Sequence, residues 1–305
     1  MQLNIQDKRQ GCYWGQCVGD ALGSMVEFKT KDAIAEIYPQ GIRELAASPV
    51  FPTAQCGQLT DDTEMAIALL ASMHTGEGEF VGYDPDSAMA NYRDWYDSHP
   101  IDCGMTISSA IRGYHNTSSE ANGALMRACG LAVMCDLTDE ATAAEWARQD
   151  AELTHPNIVC LQANQLFVML IRHLLVNQQA LSGEDLHRKA QRLVADYQLD
   201  SISDLVVQAR HTTIADFYTN MGWVRIALHN ALYHLFNETP WQQAVHTTVL
   251  QGGDTDTNAA IVGALLGARD GVAAIPETWL HAVQNAKPSR RPEWLHAASG
   301  ARFLD

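Results

Sequence analysis

Basic residues are scarce in this chain. Only 20 Lys and Arg stand against 36 Asp and Glu in 305 residues, a formal net charge of −16. That balance excludes nonspecific coating of nucleic acid or of an anionic membrane. It suits plain solubility, metal ions or cationic protein segments. No C-x-x-C occurs, and the seven cysteines (Cys12, Cys17, Cys56, Cys103, Cys129, Cys135 and Cys160) are odd in number and sit mostly in apolar, helix-like runs. Reduced core thiols of a cytoplasmic protein are expected rather than a disulfide framework. The first ten residues are polar and lack an apolar leader core. The longest run of apolar residues and glycine, Ala259–Ala268, is too short to span a bilayer. No segment alternates with the period of a strand, no fixed-period repeat is present, and no Ser/Gly-rich or charge-block linker divides the chain. The expectation is an all-α, soluble protein: one domain over 1–305, monomeric, built as a compact orthogonal bundle of a dozen or more helices.

Helical spacing is read over Gln10–Glu27, Thr30–Tyr38, Met65–Met73, Pro85–His99, Met105–Tyr114, Gly123–Met134, Asp139–Leu153 and Ile158–Val176. It continues over Ser182–Tyr197, Ser201–His211, Gly222–Phe236, Pro240–Leu250, Ala259–Gly271 and Pro276–Gln284. Two of these carry stripes of small residues. Gly11, Gly15, Gly19 and Gly23 recur every four positions, as do Ala259, Gly263 and Gly267. Each glycine costs a helix about 1 kcal/mol relative to Ala, so four in one stripe need a reason. Close approach of another backbone is the natural one, and the two striped helices are expected to pack on each other. Asp20 lies in this tight surface. Glu27 falls at the helix end, where the macrodipole disfavours a carboxylate, so it is either exposed or held there for function.

Two acid clusters stand out, Thr60-Asp61-Asp62-Thr63-Glu64 and Gly252-Gly253-Asp254-Thr255-Asp256-Thr257-Asn258. The glycine pair permits a tight turn or positive φ. Asp, Thr and Asn are good N-caps, and Asp61 with Glu64 fits a D-x-x-E capping box. Capping leaves Asp62 and Asp256 unexplained. The two clusters read together as halves of one metal site, with Thr60, Asp61, Asp62, Asp254, Asp256 and Thr257 as oxygen donors. Such a set suits Mg²⁺ or Mn²⁺ rather than zinc, and four Asp can hold two ions around a shared water. No H-E-x-x-H occurs among the twelve histidines. His155 draws notice only by its place at a helix junction beside Pro156, where residue type favours a capping or core role. Cys103, beside Asp102, has no neighbour in sequence that would lower its pKa and make it a nucleophile.

Several segments then carry a resemblance. They are Gly19-Asp20-Ala21-Leu22-Gly23 with Glu27-Phe28, Leu59-Thr60-Asp61-Asp62-Thr63, Asp102-x-Gly104, Asn122-Gly123-Ala124-Leu125-Met126-Arg127, Leu153-Thr154-His155-Pro156 and Gly252-Gly253-Asp254-Thr255-Asp256-Thr257. In this order they resemble the ADP-ribosylglycohydrolase family, from Gly11 to about Leu280. The resemblance implies an all-α fold with a dinuclear Mg²⁺ or Mn²⁺ cleft that hydrolyses the bond between ADP-ribose and a protein side chain. It implies Thr60, Asp61, Asp62, Asp254, Asp256 and Thr257 as metal ligands. Glu27 and Asp102 become the catalytic carboxylates, which position the attacking water or shuttle its protons. Asn122, Gly123 and His155 would contact the phosphates and ribose. Gly222-Trp223-Val224 resembles a Gly-Tyr-Val segment, placing Trp223 on the adenine. Cys103 stands where an aliphatic residue is usual. The layout around Asp102, Gly104 and Thr106 resembles the arginine-directed branch, with serine-linked or other O-linked ADP-ribose as the alternative. Two rivals remain: a nucleotide pyrophosphohydrolase, whose E-x-x-E or His-Asp patterns are missing here, and a non-catalytic ADP-ribose reader. The implied partner is an ADP-ribosylated protein, with ADP-ribose as the product and neither nucleic acid nor membrane involved.

Overall fold

Four glycines at a spacing of four set the centre of the molecule. In the computed structural model, which describes residues 3–304, fifteen α-helices follow one another. They are α1 (Ile5–Gly23), α2 (Lys31–Ile37), α3 (Asp61–Ser72), α4 (Pro85–Asp97), α5 (Met105–Ile111), α6 (Cys129–Ala132), α7 (Glu140–Glu152) and α8 (Ile158–Val176). Then come α9 (Gly183–Asp196), α10 (Ser203–Gln208), α11 (Val224–Phe236), α12 (Trp241–Val249), α13 (Thr255–Asp270), α14 (Glu277–Asn285) and α15 (Ala297–Ala301). Among the described residues no β-strand forms; three isolated bridges are the only extended pairings. Met1, Gln2 and Asp305, the ends of the expected 1–305 domain, lie outside the described residues.

Helices α1 and α13 run antiparallel and touch backbone to backbone along the expected stripes. A Cβ at Gly15 would stand 2.1 Å from the Gly263 carbonyl oxygen, and one at Gly19 would stand 2.2 Å from that of Ala259. Neither backbone can yield to a methyl group. Gly15→Ala is therefore expected to destabilise the protein by about 1–3 kcal/mol or more, as overpacking does. Chemical denaturation measures this; a midpoint equal to wild type would show that the two backbones do not meet there. Buried apolar side chains from α1 through α15 join one core around this pair.

Several sequence boundaries move. The α1 helix starts at Ile5, capped by Asn4, and ends at Gly23, so Glu27 lies four residues beyond it rather than at its end. Gly123–Met134 is not one helix. It breaks into a 3₁₀ turn at Asn122–Ala124 and the single turn α6. The carbonyl of Met126 accepts from Gln16 Nε2 at 2.9 Å. Gly130 presses on the Ala66 carbonyl of α3, where a Cβ would approach to 2.0 Å. Tertiary contacts thus divert the backbone from the i to i+4 ladder. The α8 helix corrects the expectation about apolar length: by length and composition it is long enough to cross a bilayer. It is mostly buried in the fold, against α7, α9, α11 and α13.

Candidate functional site

The glycine pair before α13 does more than turn the chain. Gly252 and Gly253 take positive φ of 80° and 78°. Gly253 N–H donates to the Lys29 carbonyl, and Phe28 N–H donates back to the Gly253 carbonyl, both at 2.9 Å. Only glycine fits, since a Cβ at Gly252 would meet Lys29 O at 2.4 Å. The exchange stitches residues 28–30 to the start of α13 and draws Glu27 against its acids. Phe28 is itself held at a φ of 62°, a left-handed conformation that a side chain adopts only when its surroundings impose it. The sequence set Phe28 beside Glu27 in one segment but did not mark this conformation.

The two acid clusters begin α3 and α13. Thr60 and Asp254 hold the N-cap positions, yet neither side chain caps its helix. Glu64 closes no capping box: its carboxylate accepts from Arg291 Nε and Nη2, both at 2.7 Å, and from Trp95 Nε1 at 2.9 Å. That corrects the capping reading of Asp61 and Glu64. Thr60 instead lies between two acids, its hydroxyl 2.9 Å from Asp20 Oδ1 and 3.0 Å from Asp62 Oδ2. A hydroxyl has one proton for the two carboxylates.

Asp20 was not among the expected site residues. It is wholly buried on α1 and accepts the backbone N–H groups of Thr60 and Thr63 at 3.1–3.2 Å. It thereby anchors the first turn of α3. Burial raises its pKa to about 6, against the hydrogen bonds from Thr63 and Thr60 that oppose the rise. Its signal in the sequence was an acid inside a glycine stripe.

Around this framework the structure brings Glu27, Asp254 and Asp256 together, one oxygen of each within 4.8 Å of the others. A cavity of about 400 Å³ opens beside them, lined by Glu27, Asp61, Asp62, Asp102, Asp254 and Thr257 among others. Asn122, Gly123, His155, Met105 and Phe28 line it too, and no Lys or Arg does. A larger cavity of about 860 Å³ lies elsewhere, near Lys8 and Arg269, and holds none of these acids.

Burial raises the pKa of Glu27 to about 9, helped by the charges of Asp254 and Asp102. Burial, then Asp62 and Asp102, pushes Asp61 well up; burial, then Asp20 and Asp254, does the same to Asp62. Asp256 is raised by burial, Glu27 and Asp62. Glu27 Oε2 and Asp62 Oδ1 are buried with no hydrogen-bond partner. Crowded, desolvated carboxylates with orphaned oxygens fit a divalent cation, which replaces the missing partners and the missing positive charge.

The expected substrate residues are placed unequally. Asn122 does not present its amide freely: Nδ2 donates to Asp254 Oδ2 at 2.6 Å and fixes that carboxylate. Gly123 and His155 share the cavity wall. Trp223, 38% exposed, is absent from the lining of the acid cavity. It lines an adjoining groove of about 450 Å³ that shares Ala121, Met221 and Gly222 with the acid cavity, and its Nε1 donates to Glu120. Asp102 accepts from the Cys103 amide at 2.8 Å. Cys103 has its pKa pushed up to about 12 by burial, Asp61 and Asp102, so its thiol stays protonated and is no nucleophile.

The family model of ADP-ribosylglycohydrolase matches residues 1–304. The ADP-ribosyl-[dinitrogen reductase] glycohydrolase of Rhodospirillum rubrum is 29% identical over 91% of this chain and 90% of its own length. The ADP-ribosylarginine hydrolase Tri1 of Pseudomonas putida (strain GB-1) is 24% identical over 91% of this chain and 74% of its own. A solved structure titled ADP-ribosylglycohydrolase-related protein complex superposes with a TM-score of 0.76 at 26% identity, covering 98% of both chains.

Proposed function

The chain belongs to the ADP-ribosylglycohydrolase family and is a hydrolase of ADP-ribosyl groups, and from that premise we propose that it removes mono-ADP-ribose from arginine side chains of modified proteins. The observation that carries the linkage is the cleft lining: five carboxylates (Glu27, Asp61, Asp62, Asp102 and Asp254) and no Lys or Arg. An arginine-linked substrate is already a protonated guanidinium, so the group departs as neutral guanidine with little acid assistance and takes up a proton afterwards. Acidic walls hold such a cation through charge-assisted hydrogen bonds. A serine leaving group is an alkoxide, which needs a proton in the transition state.

Thr60, Asp61, Asp62, Asp254, Asp256 and Thr257 would hold two divalent ions, Mg²⁺ or Mn²⁺. Bound there, the ions supply charge stabilisation and lower the pKa of water toward neutrality. With Asp256, the cleft carboxylates number six; two divalent ions would leave net negative charge for the guanidinium and for the oxocarbenium-like ribose. Glu27 and Asp102 face the same space and take the roles of positioning the water and holding its proton. Asn122 keeps Asp254 in place. The adjoining groove at Trp223 offers an aromatic face on which a base can stack.

The test is kcat/KM on arginine-linked and serine-linked ADP-ribosyl peptides side by side. Efficient release from arginine is the expected result. Serine cleavage with none on arginine would move the linkage to the O-glycosidic class, and binding of ADP-ribose without release from either would make the protein a reader.

A further inference from the structure

His155 is 1% exposed and joins α7 to α8. Its Nδ1 lies 2.8 Å from the Thr154 hydroxyl. Its Nε2 is buried without a partner in the cavity wall, where a Cβ on Gly123 would stand 3.1 Å away. Which nitrogen carries the proton decides whether that wall offers a donor or a lone pair.

The neighbours of Thr154 decide it. Arg127 Nη1 lies 2.8 Å from the same hydroxyl. A guanidinium can only donate, so this contact occupies a lone pair of the oxygen. If Nδ1–H donated as well, both lone pairs of the oxygen would be taken and its own proton left without an acceptor in a buried site; the arrangement that satisfies every group gives that proton to His155 Nδ1 and puts the ring proton on Nε2. Arg127 cannot turn away to relax this arrangement. Its Nε donates to Asp150 Oδ2 at 2.9 Å and its Nη2 to the Asp150 carbonyl at 2.7 Å. Its guanidinium lies 4.5 Å over the ring of Tyr92, whose hydroxyl donates to Asp150 Oδ1 at 2.6 Å.

We propose that Thr154 and Arg127 are positioning residues that hold His155 as a neutral Nε2–H donor, aimed into the cleft at a phosphate or ribose oxygen of the ADP-ribosyl group. This rests on reading the cleft as an ADP-ribose site. Burial and the charge of Arg127 hold the His155 pKa down at about 3, so the ring stays neutral throughout the working pH range. A neutral donor suits this wall because an imidazole lone pair there would repel a phosphate oxygen. The arrangement also gives Arg127, wholly buried, paired with Asp150 and absent from the cavity lining, a route to the cleft through Thr154.

The experiment uses the full chain. Long-range ¹H–¹⁵N spectra of the imidazole rings, with His155→Gln to assign the resonance, report the tautomer directly. Wild type is expected to show the proton on Nε2. Thr154→Val keeps the shape and removes the hydroxyl; it is expected to shift the Nδ1 resonance, mix the tautomers and weaken ADP-ribose binding on the order of tenfold. Thr154→Ser restores the hydroxyl and is expected to return both readouts toward wild type, which loss of packing would not do. A wild-type proton on Nδ1 overturns the inference without any variant. So does a folded Thr154→Val that leaves the spectrum and the affinity unchanged. Absence of ADP-ribose binding by wild type, with the Nε2–H spectrum intact, would instead overturn the ligand, and with it the function proposed above.

Discussion

Asp62→Asn and Asp256→Asn are each expected to lower hydrolysis by more than about 100-fold, because even outer partners of metal ligands cost 10- to 100-fold, while the fold survives. Both residues occupy the second position of their helices, Asp62 in α3 and Asp256 in α13, and both are almost wholly buried. If their work were helix capping, Asn would serve nearly as well. The structure removes that reading, since the N-cap positions belong to Thr60 and Asp254. Asp62 Oδ1 has no hydrogen-bond partner at all. Asn keeps the shape and loses the charge that a divalent ion requires. In metal-free protein the substitution also relieves repulsion among buried acids, so the variants should melt no lower than metal-free wild type. Activity is read from ADP-ribose release and folding from circular dichroism. Near-wild-type turnover in both variants would return the two aspartates to a structural role.

The second large effect concerns metal removal and its pH dependence. Ions at about 100 times their Kd add roughly 2.7 kcal/mol each. Two ions thus contribute about 5 kcal/mol, on the order of 10 °C in Tm for a chain of this size. Chelated protein should melt lower by that amount, and its own stability should depend on pH in a definite direction. Glu27 has a pKa near 9 in the fold against an ordinary value of 4.5, and Asp61, Asp62 and Asp256 are raised in the same sense. A raised acid binds its proton more tightly folded than unfolded. Its contribution is complete below the unfolded pKa and is lost as pH rises through the folded one. The Tm of chelated protein is therefore expected to fall between about pH 5 and pH 9. Ions bind the deprotonated carboxylates, so the gap between loaded and chelated protein should widen over the same window. Melting curves with and without chelator, with metal analysis of the purified protein, measure both. Coincident curves and no metal would remove the dinuclear site. A chelated protein that gained stability with rising pH would show that other groups govern the titration.

Much of this molecule was legible in the sequence. The periodicity specified α8 to the residue, and Pro, Asp and Thr marked the starts of α2, α4, α7, α12 and α14, because capping and spacing are local chemistry; α1 begins five residues before the expected Gln10, and α15 was not expected at all. The glycine stripes of α1 and α13 announced each other, since a helix tolerates such a row only against another backbone. The acids of the two clusters were conspicuous because they exceeded what capping needs.

Other features depended on residues far apart in the chain. Asp20 anchors Thr60 across 40 positions, and Asn122 reaches Asp254 across 132. At the break in Gly123–Met134 stand Gln16, 110 residues away from the carbonyl it takes, and the backbone of Ala66 against Gly130. Glu64 met the pattern of a capping box and is claimed by Arg291. The sequence by itself determined an all-helical chain, its central helix pair and the oxygen-donor character of its acids, because spacing, propensity and donor type are properties of short segments. Only the tertiary structure decided which acids converge, which polar atoms are left without partners and which nitrogen of His155 is engaged by Thr154. Those depend on burial and on partners that the chain brings together only once it has folded.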